Sequence, residues 1–483
     1  MKRLLVLFLA LILLCGCAAE PPAGTGASTV PQTVPPETNA ATEPAPTLDG
    51  LSELTADTVL LYRQADFDAR QGVLVPLNEV LSAPAEELLP RSHHYDELFS
   101  EDAALWLKLL DYALGNGYQG FSVPAGTLPE LGSTQRRVLA FLYRVDSGGV
   151  LSRTKDGNMT VWINCTRPDT MEKFSMGLAE ARRLAAEAPR GDEWETARWI
   201  FDWLHDNVVY GERKTYYYKR GWHLHDALID RDCVCSGYAD AMYYLCNLCG
   251  VDCLTVCGLA HDPETPGELG DHAWNLVRVY GDWYVCDPTA NATAPFSADI
   301  PLCFCESAEA MEISFAHRPT GEYDNAELIP ACERGFDPAS AWNDTPEGAL
   351  RSWLWYSAYL NCYPSSLLAH SGLWTKQTEL RSSEDGTEVV LGIPYGDFAA
   401  WIGRYTGEDA AGNFSAVFSE TGDGLLSVRM PEPDGVDWGK LEIRSVTENG
   451  DGSFTADLGS LSAVFTVSKT DEGLYRIESI QLR

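Results

Sequence analysis

Three side-chain types that together can perform acyl transfer stand within about fifty residues of one another, in the order cysteine, histidine, aspartate. Cys235 lies in Cys233-Val234-Cys235-Ser236-Gly237-Tyr238-Ala239, and His272 lies in Asp271-His272-Ala273-Trp274-Asn275. Asp287 lies in Trp283-Tyr284-Val285-Cys286-Asp287-Pro288-Thr289. A thiolate attacks a carboxamide or peptide carbonyl and yields a thioester. An imidazole gives a proton to the leaving amine and then takes one from water or from an incoming amine, while a carboxylate orients the ring. Water as acceptor gives hydrolysis and a lysine amine gives a crosslink. The same three groups serve both outcomes, so the motif does not choose between them.

These groups need elements to hold them. Tyr238, Ala241, Met242, Leu245 and Cys249 recur at helical spacing, and Gly250 supplies a stop. Cys235 is therefore expected in the first turn of a helix, where unpaired backbone N–H groups and the positive dipole end favour a thiolate. The Cys235 N–H can also help hold an oxyanion. Glu193 to Val208 repeats Trp199-Ile200, Trp203-Leu204 and Val208, which predicts an amphipathic helix ahead of the site. Between them, Thr215 to His225 is aromatic, polar and loop-like, a wall for a groove or simple packing and turn residues. Val251 to Cys257 reads as a buried strand and Gly258 to Asp271 as a loop. A strand opening at His272 is expected to turn near Gly281-Asp282 and return through Trp283 to Asp287. That turn puts His272 and Asp287 on one face but leaves them four residues out of register, roughly 13 Å along the strand. Contact then requires a bulge, a longer turn or another strand partner.

The three strings together resemble the transglutaminase-like domain of the papain-like cysteine peptidase superfamily, over residues 195–311. The family pattern is small-Val-Cys-x-Gly-Tyr-Ala, then His-Ala-Trp-Asn, then Trp-Tyr-x-x-Asp-x-Thr. The resemblance implies an α+β fold, a papain-like or transglutaminase-like core in which a nucleophile helix packs on an antiparallel sheet. It implies Cys235 as nucleophile, His272 as general base and acid, and Asp287 as the group orienting the imidazole. The family's second oxyanion donor is a side chain upstream of the nucleophile, which makes His225 and Trp222 candidates here. Tyr238 and Trp274 are candidates for the substrate groove.

The rest of the chain bounds this reading. At 483 residues it has length for two or three domains. Hydrophobic residues at 45% and aromatics at 11% supply cores. The formal charge of −35 becomes −37 once the two cations of the first sixteen residues, Lys2 and Arg3, are removed. Such a surface argues against a nucleic-acid partner and suits an exported protein or a basic substrate. Residues 1–17 read as an export signal, Lys2-Arg3 then an apolar run to Leu14. That run is too short for a permanent membrane span. Leu14-Cys15-Gly16-Cys17 resembles a bacterial lipobox, which implies cleavage before Cys17, lipidation of its thiol and an outward-facing anchor in the cell membrane. An ordinary cleaved signal is the alternative. Residues 18–50, rich in Pro, Thr and Ala, lack the bulky residues a core needs and form a stalk.

Residues 51–190 are a mixed α/β segment, with helices expected over Ala103–Leu114, Gln135–Tyr143 and Met176–Ala188 and strands around Asp156-Gly157. His93-His94 reads as a solvated loop. Residues 191–334 form the transglutaminase-like core. Residues 335–483 form a helix-plus-antiparallel-sheet accessory domain, with helices near Glu347–Leu360 and Tyr395–Tyr405 and a meander from Leu425 to Leu482. Its Trp353, Trp355, Tyr356, Trp401 and Trp438 read as core rather than ligand surface. Of fourteen cysteines, twelve follow the signal. Cys246, Cys249, Cys253 and Cys257 read as small core residues rather than a metal cluster. Cys303 and Cys305 share a face if their segment is a strand. With no calcium loop or nucleotide motif, no metal or cofactor is expected. The reading is a lipid-anchored enzyme that cleaves or exchanges amides of protein or cell-wall peptides, with cleavage favoured over crosslinking. A non-catalytic surface binding protein on a degenerate fold of this kind is the alternative.

Overall fold

Cys235 heads a helix because the chain ahead of it is extended: Val234 has φ −103° and ψ −176°. A computed structural model describes residues 53–63, 72–143, 145, 149–165, 167–211, 223–261, 268–293, 303–319, 328–362, 364–382, 388–407, 414, 417–429, 436 and 441–483. The export signal, Cys17, the stalk, Trp222 and Trp438 lie outside the described residues. In the core, helices α1 (Thr170–Ala185) and α2 (Glu193–Asn207) precede the nucleophile helix α3 (Cys235–Leu248). Strands β1 (Cys253–His261), β2 (Leu269–Val279) and β3 (Asp282–Cys286) follow, then helix α4 (Ala308–Phe315) and the short strand β4 (Arg318–Pro319). The sheet order is β3-β2-β1-β4, antiparallel throughout. The fold is α+β, as expected.

Helix α3 buries Tyr238, Ala241, Met242 and Leu245 and ends where Gly250 takes φ +81°, a left-handed stop that glycine adopts without strain. Its inner surface meets α1, α2, β1 and β2. Helix α1 packs directly on α3. Asn275 ties helix to sheet: it is fully buried, and its Nδ2 donates to Ala239 O at 2.9 Å and to Leu254 O at 3.3 Å.

The sheet differs from expectation in one decisive place. The hairpin turns at Tyr280-Gly281, both with positive φ (50° and 91°), so Asp282 pairs with Val279 and Cys286 with Asn275. A two-residue turn with both φ positive matches the twist of a hairpin. Moving the turn back one residue shifts every partner by two. Continued one step, this register sets Asp287 against Trp274, two residues from His272 instead of four. A diagonal of that kind is within side-chain reach, and no bulge is needed. Strands β1 and β2 are also longer than expected, and His272 pairs with Gly258 in what was read as loop.

Gly258 serves a close approach. A Cβ there would lie 2.2 Å from the Arg318 carbonyl oxygen and 2.8 Å from the Trp274 ring. Gly258→Ala is therefore expected to push β4 off the sheet edge and cost about 1–3 kcal/mol, checked as a lowered denaturation midpoint.

Around the core, residues 53–165 contribute a five-stranded antiparallel sheet, in which Val150–Lys155 and Asn158–Ile163 form the hairpin expected at Asp156-Gly157. The helices there run Ala104–Gly115 and Ser133–Leu142. Contacts from this segment land at the turn end of the core sheet. Ser92 Oγ and the His93 N–H donate to Asp252, and the His94 ring meets Trp283 edge-on. His93 is paired with Asp96 at 2.9 Å. In the C-terminal part the expected single meander is two sheets. Ser445–Glu448, Phe454–Asp457, Ser462–Lys469 and Tyr475–Leu482 pair in sequence order, but Leu425–Arg429 joins Leu380–Ser382, Glu388–Pro394 and Phe418–Glu420. Trp353, Trp355 and Tyr356 are buried, and Trp194 of α2 packs edge-on against Trp342, joining this part to the core.

Cys303 and Cys305 are not in a strand. Both have left-handed φ (64° and 57°) in a buried turn, where the Cys305 N–H donates to Cys286 Sγ at 3.2 Å. The eleven cysteines from Cys165 to Cys332 form no disulfide with one another. Cys246 and Cys253 are fully buried neighbours in the core.

Candidate active site

Asp287 begins the short helix Pro288–Thr293 and caps it. Its Oδ1 accepts the backbone N–H groups of Thr289 at 2.9 Å and Ala290 at 3.0 Å. This is what an N-cap aspartate followed by proline does, and it explains the Asp-Pro-Thr string. The backbone is fixed too, because the Asp287 N–H donates to Cys303 O at 2.8 Å. The side chain is fully buried, and its second oxygen, Oδ2, accepts two imidazoles: His272 Nε2 at 2.7 Å and His317 Nε2 at 2.8 Å.

With Nε2 of His272 committed to Asp287, Nδ1 remains for the nucleophile. The Cys235 thiol lies near enough to the His272 ring to favour its charged form. Cys235 is half-buried, the first residue of α3, while the His272 side chain is 14% exposed and so open on one side. The structure thus brings Cys235, His272 and Asp287 into one chain of contacts.

Electrostatics follow from that chain. Burial disfavours a charged His272, but the Asp287 charge and hydrogen bond outweigh it, together with the Cys235 contact, and push its pKa up to about 10. Burial likewise opposes ionisation of Asp287, yet the charge and bond of His272, joined by His317, hold it well below the usual carboxylate range. His317 runs the other way. Burial pushes it below 6.5, partly offset by its bond to Asp287, and the His272 and His261 charges add to the lowering. The stability consequence has a definite sign. A folded-state value raised from 6.5 to about 10 means that His272 stabilises fully below pH 6.5 and loses that contribution as pH rises through about 10. Asp287 stabilises above 3.8 and loses its contribution as pH falls toward its depressed value. These are two descriptions of one pair, so denaturant midpoints are expected to fall on the alkaline side, and Asp287→Ala is expected to flatten that fall.

The remaining sequence candidates are placed differently. Tyr238 is fully buried and its hydroxyl donates to Val208 O at 2.6 Å, so it packs the helix rather than lining a groove. Trp274 is 2% exposed, stacked on His272 at 6.0 Å and edge-on to His317 at 4.8 Å. It supports the rings from behind and offers no groove surface. His225 is also buried, with Nε2 3.4 Å from Lys173 Nζ and Nδ1 3.9 Å from the carboxylates of Asp226 and Asp230. Its ring is engaged within that cluster.

His317 stands outside the three sequence motifs. It lies thirty residues beyond Asp287, where Ala316 ends α4 with φ +55° and β4 begins. One of nine histidines, it carries no local pattern that marks it. Two groups among the described residues could offer a metal three ligands, His272-Asp287-His317 and His225-Asp226-Asp230. In the first, both imidazoles already hydrogen-bond to the carboxylate, so that donor set is satisfied without an ion.

Residues 181–288 match the family model of the transglutaminase-like superfamily. Beyond that stretch, similarity is limited. A 61-residue segment is 39% identical to human kyphoscoliosis peptidase, covering 11% of this chain and 9% of the relative. A 102-residue segment is 30% identical to the mouse protein, covering 20% and 15%. The chain therefore spans less than a sixth of these relatives' length. Among solved structures, the periplasmic domain of TgpA from Pseudomonas aeruginosa is 19% identical, covering 28% of this chain and 54% of that one at a TM-score of 0.19. A TGase is 13% identical, covering 35% and 51% at 0.21.

Proposed function

We propose that the transglutaminase-like domain is a cysteine-nucleophile acyl-transfer enzyme that cleaves amides of protein or cell-wall peptides through a Cys235 thioester. One observation carries this: His272 donates Nε2–H to Asp287 while the Cys235 thiol, at the start of α3, lies beside the same ring. In the reaction, Cys235 Sγ adds to the amide carbonyl, and the Cys235 N–H at the helix start helps to hold the oxyanion. The C–N bond breaks as His272 Nδ1–H passes its proton to the departing amine. Water then adds to the thioester and gives its proton to Nδ1. The tetrahedral adduct expels Cys235 as thiolate and leaves a carboxylic acid. Asp287, ionised and fixed by four donors, keeps the ring aligned through both halves.

Cleavage is favoured over crosslinking, and the word peptidase in the names of the curated relatives agrees with it. A glutamine peptide incubated with and without excess amine, followed by mass spectrometry, separates the two. Hydrolysed peptide in both reactions supports cleavage, and a transamidated adduct as the main product contradicts it. An outward-facing lipid tether at Cys17 belongs to the same proposal and is read from the mass of the mature N-terminal peptide. Among the described residues no helix is long and apolar enough to cross a membrane.

A further inference from the structure

We infer that His317 is a positioning residue for this site: through the carboxylate oxygen it shares with His272, it limits how tightly the imidazolium is held and so how readily that ring releases a proton. The inference rests on the proposed chemistry for its catalytic effect, but the holding itself is measurable without a substrate.

The geometry fixes the protonation pattern. Both Nε2 atoms lie on the same Oδ2, at 2.7 and 2.8 Å, and Asp287 is an ionised acceptor that offers no proton. Each ring must therefore donate. With Nε2–H spent on Asp287, Nδ1 of His317 is buried without a hydrogen-bond partner. A proton there would bury an unpaired N–H in a cationic ring, so His317 is a neutral Nε2–H imidazole. The downward push on its titration agrees. Its orientation is enforced by Trp274 edge-on at 4.8 Å, by Phe315 at 6.1 Å, and by the pairing of Arg318 and Pro319 with Leu259 and Gly258.

A second donor on one oxygen changes what the first donor feels. Each accepted hydrogen bond draws electron density from Oδ2 and makes the carboxylate less basic. The positive N–H end of His317 also points at the oxygen that His272 uses, with the rings 5.3 Å apart. Both effects oppose the pull of Asp287 on the imidazolium. The other titratable groups facing this assembly are Cys235 beside His272, His261 toward His317, and Cys303 near Asp287. His317 thus moderates an acid that the buried carboxylate alone would hold too firmly to work near neutral pH.

The test uses the full chain with 15N-labelled histidine and follows the ring nitrogens of His272 against pH, in wild type, His317→Phe and His317→Gln. Phenylalanine fills the space without a donor, and the glutamine Nε2 can donate to the same oxygen. The His272 midpoint is expected to move upward by roughly half a pH unit or more in the Phe variant and to stay within roughly 0.2 in the Gln variant. With an amide donor, kcat is expected to fall about twofold in the Phe variant at unchanged KM, since an acid weakened by half a pH unit loses about half that exponent in rate. A midpoint that stays or falls in the Phe variant, or one that moves equally in both, overturns the proposal. Should a variant not fold, the wild-type His317 signal decides: a neutral Nε2–H ring from about pH 6 to 9 supports the proposal, and a cationic ring or Nδ1–H tautomer in that window overturns it. Failure to cleave any amide removes the proposed activity but leaves the titration result standing.

Discussion

Cys235→Ala is expected to abolish amide turnover, by a factor of about 10⁴ or more, while changing folding stability by less than about 1 kcal/mol. The two halves of that expectation have different causes. Turnover fails because the acyl group has nowhere to reside: no other described group occupies the place against His272 that the sulfur holds. Stability survives because Cys235 is half-buried at the first position of α3, where alanine is a good helix residue and leaves no sealed cavity. The packing of α3 depends on Tyr238, Ala241, Met242 and Leu245, which the substitution does not touch. Rates on the glutamine peptide and denaturant melts of the two proteins check both halves. Retained activity in the alanine variant would assign the chemistry elsewhere.

Asp287→Asn has the second largest expected effect and the opposite balance. Four donors converge on this carboxylate: Thr289 N and Ala290 N on Oδ1, His272 Nε2 and His317 Nε2 on Oδ2. An asparagine amide has one oxygen and one NH₂. Whichever way it is turned, its NH₂ faces two N–H donors, either the helix start or the two imidazoles. Toward the helix start it leaves two backbone donors without an acceptor, and toward the imidazoles it forces the wrong tautomer and buries an unpaired His317 Nδ1–H, at about 1–3 kcal/mol for each stranded donor. The expected result is a loss of about 2–6 kcal/mol in stability and of about 10³ to 10⁴ in kcat, because His272 loses both its alignment and the charge that keeps it protonated. Denaturation and steady-state rates measure these separately. A stable variant that keeps its rate would mean that the four contacts do not determine the site.

Much of this arrangement was legible in the residues. The apolar spacing after Cys235 and the stop at Gly250 marked the nucleophile helix. Asp287-Pro288-Thr289 carries the mark of a helix cap, although its two backbone contacts needed coordinates. What failed was the hairpin turn. The turn falls at Tyr280-Gly281 although tyrosine is a poor residue at positive φ, so residue type gives no mark of it. A slip of one residue moves the His–Asp offset by two, which removes half of the apparent 13 Å gap and leaves a diagonal that the side chains span. His317 could not be read because what places it is three-dimensional: a left-handed exit from α4 and a strand edge that Gly258 leaves bare. Tyr238 and Trp274 were read as groove because aromatic residues near a nucleophile suit a substrate wall. Their burial shows that the same residues serve as packing, and residue type does not separate the two roles. In the C-terminal part, Leu425–Arg429 looked continuous with the later strands because hairpin neighbours usually pair. Its partners instead come from Glu388–Pro394 and Phe418–Glu420, both before it in sequence.

The most direct measurement of the central arrangement is the rate at which each thiol is alkylated by iodoacetamide at mildly acidic pH, read by peptide mass spectrometry on the full chain. The account predicts that Cys235 labels well ahead of the other half-buried cysteines, Cys165, Cys249 and Cys257, and that His272→Ala removes this lead. Labelling of Cys235 at the same pace as the other three, or a lead that survives the loss of His272, would contradict it.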